Sequence, residues 1–149
     1  MKQQIIEIIE AGLSAVDDAE GFLEPSPSFS DVATWVAHVD GREYDQLYVL
    51  LLCDGERAEL VVQGGLDGTA MFFAIHESET WYLRIDPERL DVEEDAQTMI
   101  TSGGTGIDAL VRSLVPIDTA ARALWYWLLT GECDPGLTWE TLSEVEADL

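Results

Sequence analysis

The stretch QLYVLLLCDGERAELVVQGGLDGTAMFFAIHESETWYLRI, residues 46–85, decides the fold class. It contains four strand-length segments separated by short turns, at residues 46–53, 57–62, 69–76 and 80–85. The first segment is apolar on both sides, which is typical of a central strand covered on two faces, whereas residues 57–62 alternate. Together with an alternating segment at residues 34–39, this region predicts an antiparallel meander of four to five strands. The alternating strands are expected to keep one face partly open to solvent.

The chain before this region predicts a helix. Five aliphatic residues fall at helical spacing between positions 3 and 19: Ile5, Ile6, Ile9, Leu13 and Val16. Acidic residues occupy the other side, so the pattern predicts an amphipathic N-terminal helix that packs on the sheet. Residues 21–31, which are rich in proline and serine, predict a connector.

The chain after Pro87 changes in character. Residues 91–100 are acidic and weakly helical, and the glycine loop that begins at residue 102 leads into a short helix ending at residue 114. The acidic tail, residues 140–149, is expected to fray.

A clear helix stands near the end of the chain. Asp118 is a good N-cap residue, the following positions are apolar nearly all round, and Gly131 suits the position just past a helix end. This C-terminal helix is expected to be packed on the sheet. The elements together predict one α+β domain over residues 1–149.

Charge is the strongest feature of the composition. Thirty acidic and seven basic residues give a formal net charge of −23 and a pI near 4.1. Such a charge repels nucleic acids and anionic membranes and speeds association with basic partners. Two explanations stay open: an acidic surface that faces a basic partner, and general solubilisation, including life in high salt, where lysine-poor proteins occur. Lys2 is the only lysine.

The sequence predicts a cytoplasmic protein. The longest apolar run, residues 47–53, is far shorter than the roughly 20 residues that span a bilayer. The first residues show neither the apolar segment nor the cleavage site of a signal peptide. Cys53, in an apolar strand, and Cys133, in a loop, are expected to be free thiols in a reducing compartment.

The acidic segment Asp91, Glu93, Glu94 and Asp95 is a candidate binding surface. A solvated acidic face is the favoured interpretation, followed by a patch that faces a basic protein. A divalent cation site is the third alternative, because the spacing does not match a twelve-residue calcium loop.

Enzymatic motifs are weak. The sequence SGGTG, residues 102–106, lacks the lysine of a phosphate loop, so an ordinary turn is favoured. His38 and His76 are the only histidines, and either could pair with Cys53 or Cys133 as a nucleophile and base. No local motif builds such a site, so we expect no catalytic residue.

Five tryptophans make the aromatic residues a further candidate. Trp35 and Trp81 alternate within predicted strands, and Trp125 lies on the buried stripe of the last helix, so these three predict core positions. Trp127 and Trp139 have two interpretations: packing against the sheet, which is favoured, and an interface anchor.

The last helix and the loop after it carry a family resemblance. The chain runs from Leu128 through Thr130 and Gly131 into a proline-containing loop and on to Trp139. With the preceding acidic meander, this ending resembles that of a family of bacterial polymorphic-toxin immunity proteins, whose final helix runs into F-L-x-T-G-x-R-P and ends at a tryptophan. Cys133 stands at the arginine position of that pattern, and the proline comes one residue later.

The resemblance implies a small, non-catalytic α+β inhibitor that occludes the active site of a cognate toxin, in several cases a nucleic-acid deaminase. It implies no cofactor and no metal. Charge and aromatic residues favour seven partner contacts: Glu77, Glu79, Asp91, Glu93, Glu94, Asp95 and Trp127. Two alternatives stay open, an acidic adaptor with a different partner and an unrecognised enzyme with a pocket near His38 or His76. An open sheet face also permits a homodimer.

Overall fold

The computed structural model describes residues 6–15, 18–22, 27–89, 93–102 and 105–149. Within these ranges the strands are β1 (Ile6–Ala15), β2 (Asp18–Phe22), β3 (Gln46–Cys53), β4 (Glu56–Gly64), β5 (Thr69–His76), β6 (Glu79–Arg84), β7 (Gln97–Ser102), β8 (Thr105–Leu110), β9 (Leu114–Pro116) and β10 (Thr138–Thr141). The helices are α1 (Phe29–Ala37), α2 (Ile117–Thr130) and α3 (Leu142–Ala147). The fold is α+β, with a mostly antiparallel sheet.

The central meander is confirmed, and the sheet is larger than expected. The strands β3, β4, β5 and β6 are consecutive antiparallel neighbours, and β3 and β5 have the predicted bounds. The sheet order is β10-β6-β5-β4-β3-β1-β2, and β9 pairs with β5, so the described part of the chain forms an eight-stranded sheet instead of four to five strands. The strands β7 and β8 form a separate hairpin.

The predicted N-terminal helix is wrong, because residues 6–15 form a strand that pairs with β3. A β-bulge between Ile8 and Glu10 inserts one residue into this strand. The bulge shifts the alternation, so that Ile8, Ala11 and Leu13 all face the core. Of the aliphatic residues that suggested the helix, Leu13 is buried but Ile9 is 42% exposed, so they do not share one face. Ile5 and Val16 lie outside the described residues.

The predicted strand at residues 34–39 is also wrong, since most of it belongs to α1. Ser28 and Asp31 form a capping box at the start of this helix. Val32 and Val36, one helical turn apart, are fully buried. The alternating pattern was accidental, and the capping box was the local signal for a helix.

Strands replace the two helical segments expected between residues 91 and 114. In the hairpin of β7 and β8, Ile100 pairs with Ile107 and Ser102 with Thr105. A single 3-10 turn follows at Val111–Ser113. Threonine and isoleucine favour the pleated surface of a strand, and this preference outweighs the weak helical pattern.

The tail does not fray. It forms β10, which pairs with β6, and then α3. Thr141 and Glu144 form a capping box at the start of α3, and Val145 is buried.

The last helix is confirmed with a shifted start. It spans Ile117–Thr130, its N-cap is Pro116, and Asp118 lies in the first turn. Gly131 ends the helix in the left-handed conformation, with φ of 71°. This conformation strains residues that carry a Cβ, which is why glycine suits the position.

The sheet has one covered face and one partly open face. Inward-facing side chains of the central strands, including Leu51, Leu60 and Phe72, join those of α1 and α2 in the hydrophobic core. On the other face, the β7–β8 hairpin approaches β4 and the helix α3 approaches β6. The expected partly open face is therefore present, and it is described below.

Candidate functional site

The acidic segment is partly committed to the fold. Asp91 lies outside the described residues, whereas Glu93 and Asp95 are exposed. The carboxylate of Glu94 accepts two hydrogen bonds from Arg84, both of 3.0 Å. These bonds lower the pKa of Glu94. Glu94 therefore acts as an internal ion-pair partner, which its sequence context did not reveal.

A buried charge cluster lies beside this pair. Arg112 is 2% exposed, and its guanidinium donates to both carboxylate oxygens of Glu140, at 2.9 and 2.7 Å. It also donates to Asp148 and to the backbone oxygen of Glu94. Burial alone lowers the pKa of Arg112, but the hydrogen bonds that it donates to Glu140 and Asp148 raise it overall. We call Arg84, Glu94, Arg112, Glu140 and Asp148 the charge cluster.

The charge cluster joins three parts of the chain. Arg112 follows β8, Glu140 lies in β10, and Asp148 follows α3. Bidentate arginine–carboxylate pairs are both strong and directional. The cluster therefore fixes the C-terminal segment on the sheet.

The other predicted acidic contacts lie at the opposite end of β6. Glu79 begins this strand, whereas Arg84, which holds Glu94, ends it. Five residues at about 3.3 Å each separate the two positions by roughly 17 Å. Glu77 lies in the turn before Glu79, and both are exposed. The predicted acids form two patches, both within the reach of an interface of about 800 Å² per partner.

Trp127 is a core residue, which corrects its assignment as a partner contact. Its side chain is 2% exposed, and its ring meets that of His76 edge to face, with centroids 5.8 Å apart. Packing inside the protein accounts for this tryptophan. Trp125, expected in the core, is instead half-buried and stacks edge to face against Phe29.

The residues that carry the family resemblance hold the end of α2 against the sheet. The hydroxyl of Thr130 donates to the backbone oxygen of Tyr126, and the indole Nε1 of Trp139 donates to the backbone oxygen of Asp134. The ring of Trp139 lies edge to face on Phe72, at 5.8 Å between centroids. These contacts give the motif a structural role.

A shallow aromatic groove of about 400 Å³ lies beside these residues. Its lining comprises His76, Trp81, Trp127, Gly131, Glu132, Cys133 and Trp139. Burial raises the pKa of the Cys133 thiol to about 11, although the Trp127 N–H partly opposes this shift. Burial also raises the pKa of Cys53. The thiolate is the reactive form of cysteine, so neither thiol suits a nucleophile at neutral pH.

Slow alkylation of Cys133 is the expected result. With Cys53 replaced by alanine, the folded protein should react with iodoacetamide at pH 8 about 100-fold more slowly than the urea-unfolded protein. At this pH a thiol with a pKa of about 11 holds about 99% less thiolate than a thiol with the ordinary pKa of 9.0. Mass spectrometry of the intact protein gives the rates. Similar rates in the folded and unfolded protein would contradict the raised pKa and reopen a catalytic role.

His38 caps the end of α1 and does not end a strand. The side chain is exposed, and its Nδ1 lies 2.7 Å from the backbone oxygen of Thr34. The same carbonyl also accepts the backbone N–H of His38 at 3.2 Å, so the ring adds a second contact at the helix end. A structural role accounts for His38.

A cavity of about 450 Å³ near the start of α2 contains two arginines, Arg84 and Arg122. Arg84 is held by Glu94, and Nε of Arg122 donates to Asp134 at 2.9 Å. The positive charge in this cavity is therefore compensated by the protein itself.

The partly open sheet face carries apolar side chains on three neighbouring strands. They share one face of the sheet and are half-buried: Tyr48, Leu50, Leu52, Val61, Phe73 and Ile75. Val61 pairs with Tyr48 and Phe73, whereas Glu59 stands between Leu50 and Ile75, and Arg57 pairs with Leu52. We call these six residues the open face. A groove of about 220 Å³ crosses it, and Glu10 and Glu59 stand among the lining residues. Glu7 pairs with Leu52 and is exposed at the same side. The open face thus combines apolar area with Glu7 and Glu10 at one edge and with the exposed pair of Arg57 and Glu59 on its middle strand.

No family model matches the chain, and no curated protein matches it. Among the described residues, helices of the length and apolarity required to cross a membrane are absent.

Proposed function

We propose that this protein is a cytoplasmic immunity protein, which binds a basic bacterial toxin and neutralises it by occluding its active site. The toxin class that the sequence resemblance suggests is a nucleic-acid deaminase or nuclease. The observation that carries the proposal is the pairing of an acidic surface with an apolar sheet face. The protein itself needs no catalytic group, cofactor or metal for inhibition.

Charge complementarity supports a basic partner. A net charge of −23 attracts cationic proteins over several ångströms and raises their association rate. An enzyme that acts on nucleic acid needs a basic surface to bind phosphates. An acidic inhibitor that occupies this surface competes directly with the substrate.

The open face is the proposed centre of the interface. Its apolar side chains offer the desolvated contact area that slows dissociation. Glu7 and Glu10 at its edge, and Glu59 on its middle strand, orient a basic partner. The exposed acids Glu77, Glu79, Glu93 and Asp95 lie at the ends of the strands and would contribute to steering. Trp127 and Glu94 are not proposed as contacts.

Co-expression with the product of the neighbouring gene tests the function. The neighbouring protein alone should kill or arrest the host cell, and this protein should restore growth and co-purify with it. A harmless neighbour that forms no complex would contradict the proposal.

Charge reversal tests the surface. The double variant Glu7→Lys with Glu59→Lys should weaken toxin binding by at least about tenfold, because it replaces attraction with repulsion beside a desolvated contact. Surface plasmon resonance at two salt concentrations gives the association and dissociation rates. The main effect of the double variant Glu93→Lys with Asp95→Lys should be a slower association rate.

A matched control makes the same charge change elsewhere. Glu43 and Glu132 are exposed and lie away from the open face, so their reversal to lysine should change affinity by less than about threefold. Glu94 is left unchanged in every variant because it holds Arg84. Equal losses of affinity in all three double variants would indicate a diffuse charge effect. They would contradict the proposal that the open face is the interface.

An acidic adaptor with a non-toxin partner is the second candidate, and the same surface favours it. The two candidates differ in the co-expression result, because only an immunity protein restores growth to cells that make the toxin.

A further inference from the structure

We propose that Glu56, His76 and Glu77 form a binding site for a divalent transition-metal ion of the zinc class. A nitrogen of His76 and one carboxylate oxygen from each glutamate lie within 4.8 Å of one another. The site is separate from the toxin-binding proposal and does not depend on it.

The sheet brings the three residues together from two turns. Glu56 begins β4 directly after the Asp54-Gly55 turn, and His76 ends β5, where it pairs with Ala58. Residues two apart on a strand point to the same face, so Glu56 projects on the same side as Ala58 and His76. Glu77 follows in a left-handed turn conformation, with φ of 52°. His76 and Glu77 are adjacent in the sequence, and the register of β4 and β5 brings the distant Glu56 beside them.

His76 is held in place before any ion binds. Its ring meets Trp127 edge to face at an interplanar angle of 89°. Its Nε2 is buried and makes no hydrogen bond within the protein. Packing fixes the ring, and its Nε2 has no hydrogen-bond partner within the protein. Such a ring is well suited to metal ligation, because little conformational entropy is lost when an ion binds.

The distances permit closure on a small ion. Ligand atoms about 2.0 Å from a tetrahedral zinc ion lie about 3.3 Å apart. The three ligand atoms lie within 4.8 Å of one another, so they must approach by about 1.5 Å. The exposed side chains of Glu56 and Glu77 can make this shift by rotation.

The ligand set selects the class of ion. One imidazole with two carboxylates suits zinc, cobalt or nickel, whereas magnesium and calcium prefer oxygen alone. Three protein ligands leave at least one coordination position for water or for a ligand from outside. The negative field of the protein raises the local concentration of cations near the site.

Zinc titration of the full chain, purified without a histidine tag, tests the site. Isothermal titration calorimetry in 0.3 M NaCl with excess magnesium should show one zinc ion per chain, because salt and magnesium suppress diffuse binding to acids. The variants Glu56→Gln, Glu77→Gln and His76→Gln should each weaken zinc binding by at least about tenfold.

Each control variant replaces one residue of the same type that lies outside the proposed site. His38→Gln removes the other histidine, and Glu43→Gln removes an exposed acid that precedes β3, at the end of that strand away from Glu56, so both should bind zinc within about twofold of the original chain. His76→Gln touches Trp127 and could alter folding, and for this reason the two glutamate variants decide the result. The proposal would be overturned if the original chain did not bind zinc, or if Glu56→Gln and Glu77→Gln bound zinc as tightly as the original chain.

Discussion

Replacing Arg112 with methionine is expected to lower the free energy of unfolding by about 3–5 kcal/mol. The side chain is 2% exposed, and it pairs bidentately with Glu140, which is itself 5% exposed. Its removal leaves a buried carboxylate whose nearest remaining cation, Arg84, lies 3.9 Å away. Urea denaturation measures the loss, and hydrogen exchange should show increased opening of β10 and α3, which the cluster holds.

The control is Arg57→Met. Arg57 pairs with Glu59 at 3.9 Å with both side chains exposed, and such surface pairs contribute about 0–1 kcal/mol. The double variant Arg112→Met with Glu140→Leu should recover part of the stability, since it removes the unpaired charge as well. A similar small loss for Arg112→Met and Arg57→Met would show that the cluster does not stabilise the C-terminal segment.

Replacing Trp127 with alanine is expected to cost about 3–5 kcal/mol, because a large side chain in a packed core leaves a cavity that the surroundings fill only in part. The ring is 2% exposed and contacts His76. Thermal and urea denaturation, followed by circular dichroism, measure the change. Toxin binding by the folded fraction should be retained, since only 2% of the side chain is exposed and it lies away from the open face.

Two further substitutions separate packing from other effects. Trp127→Phe should cost less, because it keeps an aromatic ring against His76 and removes a buried indole N–H that makes no well-formed hydrogen bond. Leu129→Ala lies on the same helix but is 58% exposed, so it should change stability by less than about 0.5 kcal/mol. Unchanged stability of Trp127→Ala, with loss of binding, would restore this residue as an interface anchor.

The strands β3 and β5 and the end of α2 could be predicted because their signals are local. Continuous apolar runs, glycine turns and the helix-ending Gly131 each act within a few residues. The N-terminal segment could not be predicted, since the bulge between Ile8 and Glu10 depends on pairing with a strand about 40 residues away. The periodicity of an isolated segment does not distinguish a bulged strand from a helix.

The candidate site could also be predicted only in part. Composition predicted an acidic protein, but it did not show which acids are free for a partner. Glu94 and Glu140 are indistinguishable from Glu93 in the sequence, and only the structure shows them paired with Arg84 and Arg112. Ion pairing between distant residues has no pattern in a single sequence.

The sequence by itself determined the antiparallel meander, the last helix and the charge of −23, because turn preference, apolar periodicity and composition are properties of short segments or of the whole chain. The tertiary structure alone decided that Trp127 is buried, that Glu56 lies beside His76 and Glu77, and that Arg112 pairs with Glu140. These features depend on strand register and on the packing of the helices against the sheet, which join residues far apart in the chain.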